Sequence, residues 1–182
     1  AFTSGTTNFL VGSIRHALEL SMTVIPAAAN SGAIALGSDH AGFELKQVIK
    51  DLLIEQGLNV EDFGSFSLDS CDYPDYARKV AEAVSKGLCA RGILVCGSGV
   101  GVSIVANKVR KVRAALVNEV EAAVLSRQHN DANVLCLGAR TTSSALAKEI
   151  IAAWLTTEFE GGRHQRRIDK IEHSRQGETL FG

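Results

Sequence analysis

Short apolar runs alternate with amphipathic stretches from residue 33 onward. Residues 33–37 are a continuous run of small and apolar side chains and read as a buried strand. Residues 42–56 place Phe43, Leu45, Val48, Ile49, Leu52 and Leu53 on a helical period, and Gly57 follows where a helix stops. A second strand is predicted over 59–63. Pro74 suits a first helical turn and opens a helix over 75–86, with Gly87 as the stop. Strands over 92–95, 112–117 and 134–137 then alternate with helices over 102–108, 119–127 and 144–156, and Gly138 closes the fifth strand. The charged stretch 163–174 is predicted helical. Five strands separated by helices predict βαβ crossovers: a Rossmann-like α/β/α sandwich around a parallel five-stranded sheet. No repeat and no internal linker interrupts this pattern. One domain is expected over 33–174, preceded by a leader over 1–32 and followed by a tail over 175–182. Ligands of such sheets bind beyond the C-terminal strand ends. That rule singles out the loops at 38–42, 96–101, 118–119 and 138–140.

Bulk properties narrow the chemistry. The 182 residues carry a formal net charge of −1, which argues against a protein that coats nucleic acid. Charged residues break the apolar runs well short of a membrane span. Cys71, Cys89, Cys96 and Cys136 form no CxxC pair and no zinc spacing, so a reducing compartment with mostly inert thiols is expected. The leader is rich in Ser and Thr and has one acid, Glu19, a pattern similar to the remnant of an organelle transit peptide. That reading places the protein in the plastid stroma. A poorly ordered extension is the alternative and leaves it cytoplasmic.

The loop Cys96-Gly97-Ser98-Gly99-Val100-Gly101 is the richest in chemistry. A thiol between a strand and a helix meets unpaired backbone N–H groups, which favour negative charge on a thiolate or on a substrate oxygen. A tight turn or a phosphate cradle are the other readings. The glycine spacing is neither GxGxxG nor a P-loop, which disfavours a dinucleotide fold. Asp39-His40, at the end of the first strand, is either a helix N-cap with an incidental imidazole or a pair that binds hydroxyls and phosphate. His129-Asn130-Asp131 follows a predicted helix and suits either a dipole-favoured histidine or proton transfer to sugar oxygens. Arg163 and Arg167 lie four apart, on one helical face, as a solvated tail or as a phosphate clamp that could reach a neighbouring subunit. No cluster shows metal-ligand spacing.

Together, Gly37-Ser38-Asp39-His40-Ala41-Gly42, Asp72-Tyr73-Pro74, the 96–101 loop, the run from Ser126 to Asn133 and Gly161-Gly162-Arg163-His164-Gln165 resemble ribose-5-phosphate isomerase type B over about 33–171. The resemblance implies interconversion of ribose 5-phosphate and ribulose 5-phosphate through a cis-enediolate, with neither metal nor organic cofactor. It implies Cys96 as the base and the amides of 97–101, with the Ser98 hydroxyl, as the anion hole. His129 would open the furanose ring, with Asp39 and Asn130 holding hydroxyls. His40, Arg140, Arg163 and Arg167 would grip phosphate, and Tyr73, Gly97, Gly99, Val100 and Gly101 would contact substrate. A dimer or dimer of dimers is implied, in which His129, Asn130 and the tail arginines serve the partner's Cys96. Six-carbon sugar phosphates as substrates, or a non-catalytic sugar-phosphate-binding module, are the competing expectations. Ser98 stands where many family members carry Thr, which keeps the hydroxyl.

Overall fold

Alternation along the central strands divides their side chains between two cores. Ile34, Leu36, Ile93, Val95, Leu135 and Leu137 face one side, while Ala35, Leu94, Cys96, Val134 and Cys136 face the other. A strand buried on both faces needs a helical layer on each. The computed structural model describes residues 32–173, so nearly all of the predicted leader, together with residues 174–182, lies outside the described residues. The elements run β1 (Ile34–Ser38), α1 (Phe43–Glu55), β2 (Val60–Asp62), α2 (Tyr73–Ser85), β3 (Arg91–Cys96), α3 (Val100–Ala106), β4 (Ala114–Leu116), α4 (Val120–Asn130), β5 (Val134–Gly138), α5 (Ser144–Thr156) and α6 (Arg163–His173).

The five strands are all parallel, in the order β2-β1-β3-β5-β4. Leu45, Ile49 and Leu53 of α1 join Ala123 of α4 and Ala147, Ile150, Ile151, Trp154 and Leu155 of α5 in one core. The second core holds Ala77, Val80, Ala81 and Val84 of α2 with Val102 and Ala106 of α3. Small residues let α2 approach closely: Val80 lies where a Cβ on Gly37 or Gly92 would come within 2.8 or 2.9 Å of it. Among the described residues, no helix is long and apolar enough to cross a membrane.

Several predicted boundaries move, among them those of α3, which runs Val100–Ala106 in place of 102–108. β2 and β4 are three residues each, shorter than the expected 59–63 and 112–117, and they are the two edge strands, paired on one side only. Helix α4 runs on through Gln128, His129 and Asn130, beyond the expected stop at residue 127. His129 and Asn130 are therefore its last turn, not a loop after it. The polar run there lacks an apolar period, and no glycine marks the end; Asp131 takes the left-handed position instead, at φ +43°.

The chain leaves β1 toward β2 on one side and leaves β3 toward the β5–β4 side. Their C-terminal loops diverge and leave a crevice between β1 and β3, the point where such sheets bind ligands.

Candidate active site

The crevice is a cleft of about 190 Å³ lined by Asp39, His40, Ala41, Tyr73, Cys96, Gly97, Ser98, Gly101 and Arg140. Eight of these nine were expected site residues. Each arrives from the C-terminal edge of the sheet: Asp39 and His40 after β1, Tyr73 at the start of α2, the 96–101 loop after β3 and Arg140 after β5.

Cys96 ends β3, paired with Gly138 of β5, and is only 5% exposed, yet its side opens on the cleft. The Gly99 N–H donates to Cys96 Sγ at 3.1 Å, the contact a thiolate accepts. Gly99 takes φ +76°, and a Cβ there would collide with Leu116 Cδ1 and sit 2.9 Å from the Leu137 carbonyl carbon. Conformation and space both demand glycine. The Arg140 guanidinium covers Gly97, 3.1 Å from where a Cβ would stand, and the Tyr73 ring covers Gly101 at 2.7 Å by the same measure. The loop is thus a bare strip of backbone between an arginine and a phenol. Ser98 is exposed, and its Oγ accepts from the Val100 N–H at 3.4 Å. Gly99, buried, and Val100, exposed, complete the loop but are not among the residues that line the cleft. Cys136, behind Cys96, is fully buried; burial and the neighbouring Cys96 push its thiol far above the usual range, so it stays protonated.

Asp39 is not the N-cap of α1, since Gly42 holds that position without a side-chain cap bond. Its Oδ1 accepts from the Gly42 N–H at 2.9 Å, tightening the turn into α1, while the residue also lines the cleft. His40 Nδ1 accepts from the Cys71 N–H at 3.2 Å. A neutral imidazole that accepts at Nδ1 carries its proton on Nε2, which makes it a directed donor. Cys71 has no functional signal in the sequence, and only the fold brings it beside His40. Behind α1, Lys46 is fully buried. It reaches Asp62 Oδ1 and the Ser65 carbonyl, both at 2.7 Å, and so holds the β2–α2 connection that carries Cys71. Burial pushes the Asp62 carboxyl up, but the bonds from Lys46, Lys50 and the Gly64 N–H outweigh it and leave it below the usual value.

The remaining expected residues gather elsewhere. All strands are parallel, so α4 begins at the edge where Cys96 lies and ends at the opposite one. His129 and Asn130 in its last turn are separated from Cys96 by the length of β5, about 13 Å of strand. Asn130 lines a different cavity, of about 280 Å³, with Arg113, Val112 and Ile171. The His129 and His164 rings stack with centroids 4.3 Å apart and planes within 3°. His164 is almost fully buried at the start of α6, which also carries exposed Arg163 and Arg167. Its titration is pushed down by burial, then by His129, Arg163 and Arg167, against the opposing pull of Glu160. Sequence spacing shows no metal cluster, but the fold brings ligand atoms of His129, Glu160 and His164 within 4.8 Å of one another. Parallel stacked rings aim their lone pairs side by side, and Arg163 Nε already donates to His164 Nε2 at 3.3 Å. The cluster reads as a cation-flanked stack and not as a preformed ligand set.

One chain therefore presents two groups of polar residues at opposite edges of its sheet. Comparison with known proteins places the arrangement. The family model described as Ribose/Galactose Isomerase matches residues 34–171. Ribose-5-phosphate isomerase B of Escherichia coli (strain K12) is 51% identical over 138 residues, covering 76% of this chain and 93% of that protein. The structure of Clostridium thermocellum ribose-5-phosphate isomerase B matches with a TM-score of 0.79 and 49% identity, over 79% of this chain and 97% of that one. The Mycoplasma genitalium enzyme, solved with bound ribulose-5-phosphate, matches with a TM-score of 0.78 and 46% identity, over 81% of this chain and 98% of that one. With a family model that spans 34–171 and this breadth of similarity, the chain belongs to the ribose/galactose isomerase family.

Proposed function

We propose that the protein interconverts ribose 5-phosphate and ribulose 5-phosphate. The observation that carries the reading is the near-buried Cys96 sulfur, capped by the Gly99 N–H and opening on a cleft between Asp39, His40 and Arg140. Cys96, as thiolate, takes the proton from C2 of the open-chain aldose. The C–H electron pair becomes the C1–C2 double bond, and negative charge develops on O1. The amides that the 97–101 loop turns to the cleft and the Ser98 hydroxyl hold that oxygen, each well-placed donor being worth about 3 kcal/mol in the barrier. The thiol returns the proton to C1, the hydroxyl proton passes from O2 to O1, and O2 becomes the ketone. Asp39 and Asn130 hold hydroxyls, with Tyr73 beside them. His40 Nε2–H, Arg140, Arg163 and Arg167 hold the phosphate, far from the reacting carbons, so its binding energy positions C1 and C2.

His129 opens the furanose ring. It lies at the wrong edge of its own chain, so the reading requires a second copy that presents its α4 end and α6 to this cleft. The protein is thus a homodimer, or a dimer of dimers, with shared sites. Its compartment, plastid stroma or cytoplasm, depends on a leader that lies outside the described residues; sequencing the N-terminus of the native protein decides between them.

The direct test is isomerisation of ribose 5-phosphate by the purified protein, together with solvent-deuterium exchange at C1 of ribulose 5-phosphate. Turnover without added metal or cofactor is expected. Binding of the sugar phosphate with no C1 exchange would instead indicate a module that binds without chemistry.

A further inference from the structure

Helices α1 and α2 end in the ordinary way. Gly57 and Gly87 take the left-handed position at φ +74° and +71°, and a Cβ on either would meet nothing within 4 Å. Helix α4 ends differently: the left-handed residue is Asp131, at φ +43° and ψ +45°. An L side chain is disfavoured there, so the carboxylate must supply something glycine cannot.

Both of its oxygens are engaged. Arg127 Nη1 donates to Oδ1 and Arg113 Nη2 to Oδ2, each at 2.8 Å. The same two arginines hold the carbonyls that follow His129. Arg113 Nε donates to the carbonyls of Asn130 and Asp131, both at 3.0 Å, and Arg127 Nη1 donates to that of Ala132 at 2.7 Å. The Asn130 carbonyl is one that a helix end leaves without an intrahelical partner, and the other two belong to the C-cap and the residue after it. Arg113 Nη1 also reaches Glu172 of α6 at 3.2 Å, tying this end of α4 to the helix that carries Arg163 and Arg167. Arg127 is buried near Trp154, where Arg91 also lies, so Asp131 is the counterion that lets a second arginine sit there.

We infer that Asp131 is a positioning residue: clamped between Arg113 and Arg127, it fixes the last turn of α4 and thereby the aim of His129 and Asn130 at the sugar ring. The inference rests on the ring-opening role proposed for His129. Asp131 touches no substrate in this scheme, and its effect runs through the backbone of residues 129–132.

The test compares Asp131→Gly with Asp131→Asn in the full-length protein. Glycine takes φ +43° without strain, so D131G removes the carboxylate while keeping the backbone path. Asparagine tolerates the same conformation and keeps one acceptor oxygen. For D131G, kcat with ribose 5-phosphate is expected to fall on the order of 10²-fold, the scale of a misplacement near 1 Å. Solvent exchange at C1 of ribulose 5-phosphate, which needs no ring opening, is expected to fall clearly less than kcat, because Cys96 and its loop are untouched and only the Asn130 contact is disturbed. D131N is expected to fall between D131G and the native protein. Amide hydrogen exchange over residues 127–132 is expected to accelerate in D131G. Native kcat in D131G would overturn the inference, and so would equal losses of kcat and C1 exchange. Should the native protein fail to isomerise ribose 5-phosphate, the proposed function falls on its own. The amide-exchange comparison still decides whether the carboxylate holds the helix end, and unchanged exchange in D131G would reject that.

Discussion

The two polar groups of this chain are built by opposite means. At the Cys96 edge the working surface is backbone: glycines between an arginine and a phenol, with one sulfur beneath. At the His129 edge it is side chains, with a stacked pair of imidazoles and a carboxylate gripped by two arginines. Backbone-built sites depend on what is absent, since a single Cβ at Gly99 or Gly101 would collide with the wall. Side-chain-built sites depend on what is present, and each member is held only while its partners remain. Loss on the first side should therefore be abrupt and beyond rescue, while loss on the second should be graded by how much of the network survives.

The largest expected effect tests the sulfur itself. Cys96→Ala should lower kcat by about 10⁴-fold or more, the upper range for removal of an acid–base group. Ribulose 5-phosphate binding, measured by calorimetry, should persist; turnover near the native rate would remove Cys96 as the base. Next comes the buried charge that braces the same edge. Asp62→Asn strips fully buried Lys46 of its counterion and should cost about 3–5 kcal/mol of unfolding free energy by urea titration. The Asp62 carboxyl is held below its usual 3.8, so the stabilisation it supplies is complete above that pH and is lost as pH falls through its lowered value. Native and D62N stabilities should converge in acid, and a gap that persists there would assign the loss to packing instead.

Gly99→Ala should then cost about 3 kcal/mol in the barrier, the worth of one misplaced donor, with substrate affinity changed less. A variant with native kcat would show that the 97–101 backbone holds no developing charge. The smallest effect belongs to the exposed side-chain group. Arg167→Ala should raise KM by roughly 10-fold to 100-fold, the worth of one charge-assisted bond, with kcat nearly kept. An unchanged KM would detach α6 from the phosphate.

Legibility in the sequence followed the same divide. Short-range devices announce themselves: Gly57 and Gly87 mark helix ends, Pro74 marks a helix start, and the glycine loop after β3 marks the cleft. The strands read correctly wherever both faces are buried and came out short only at the edges. The α4 end was not legible. Gln128, His129 and Asn130 carry no apolar period, and Asp131 substitutes for the expected glycine through contacts with Arg113, eighteen residues away in sequence. Cys71 beside His40 and His164 against His129 were hidden for the same reason, being paired across thirty or more residues.

By itself the sequence determined which segments become strands and helices, that the sheet is parallel, and that Asp39, Cys96 and Arg140 share one edge. Those outcomes follow from local periodicity and from the single direction in which βαβ units run. Tertiary structure alone decided that His129 lies at the far edge of its own chain, that Lys46 is buried with Asp62, and that two arginines close on Asp131. Such pairings are set by how the layers pack, where contact depends on distance in space and no repeat along the chain records it.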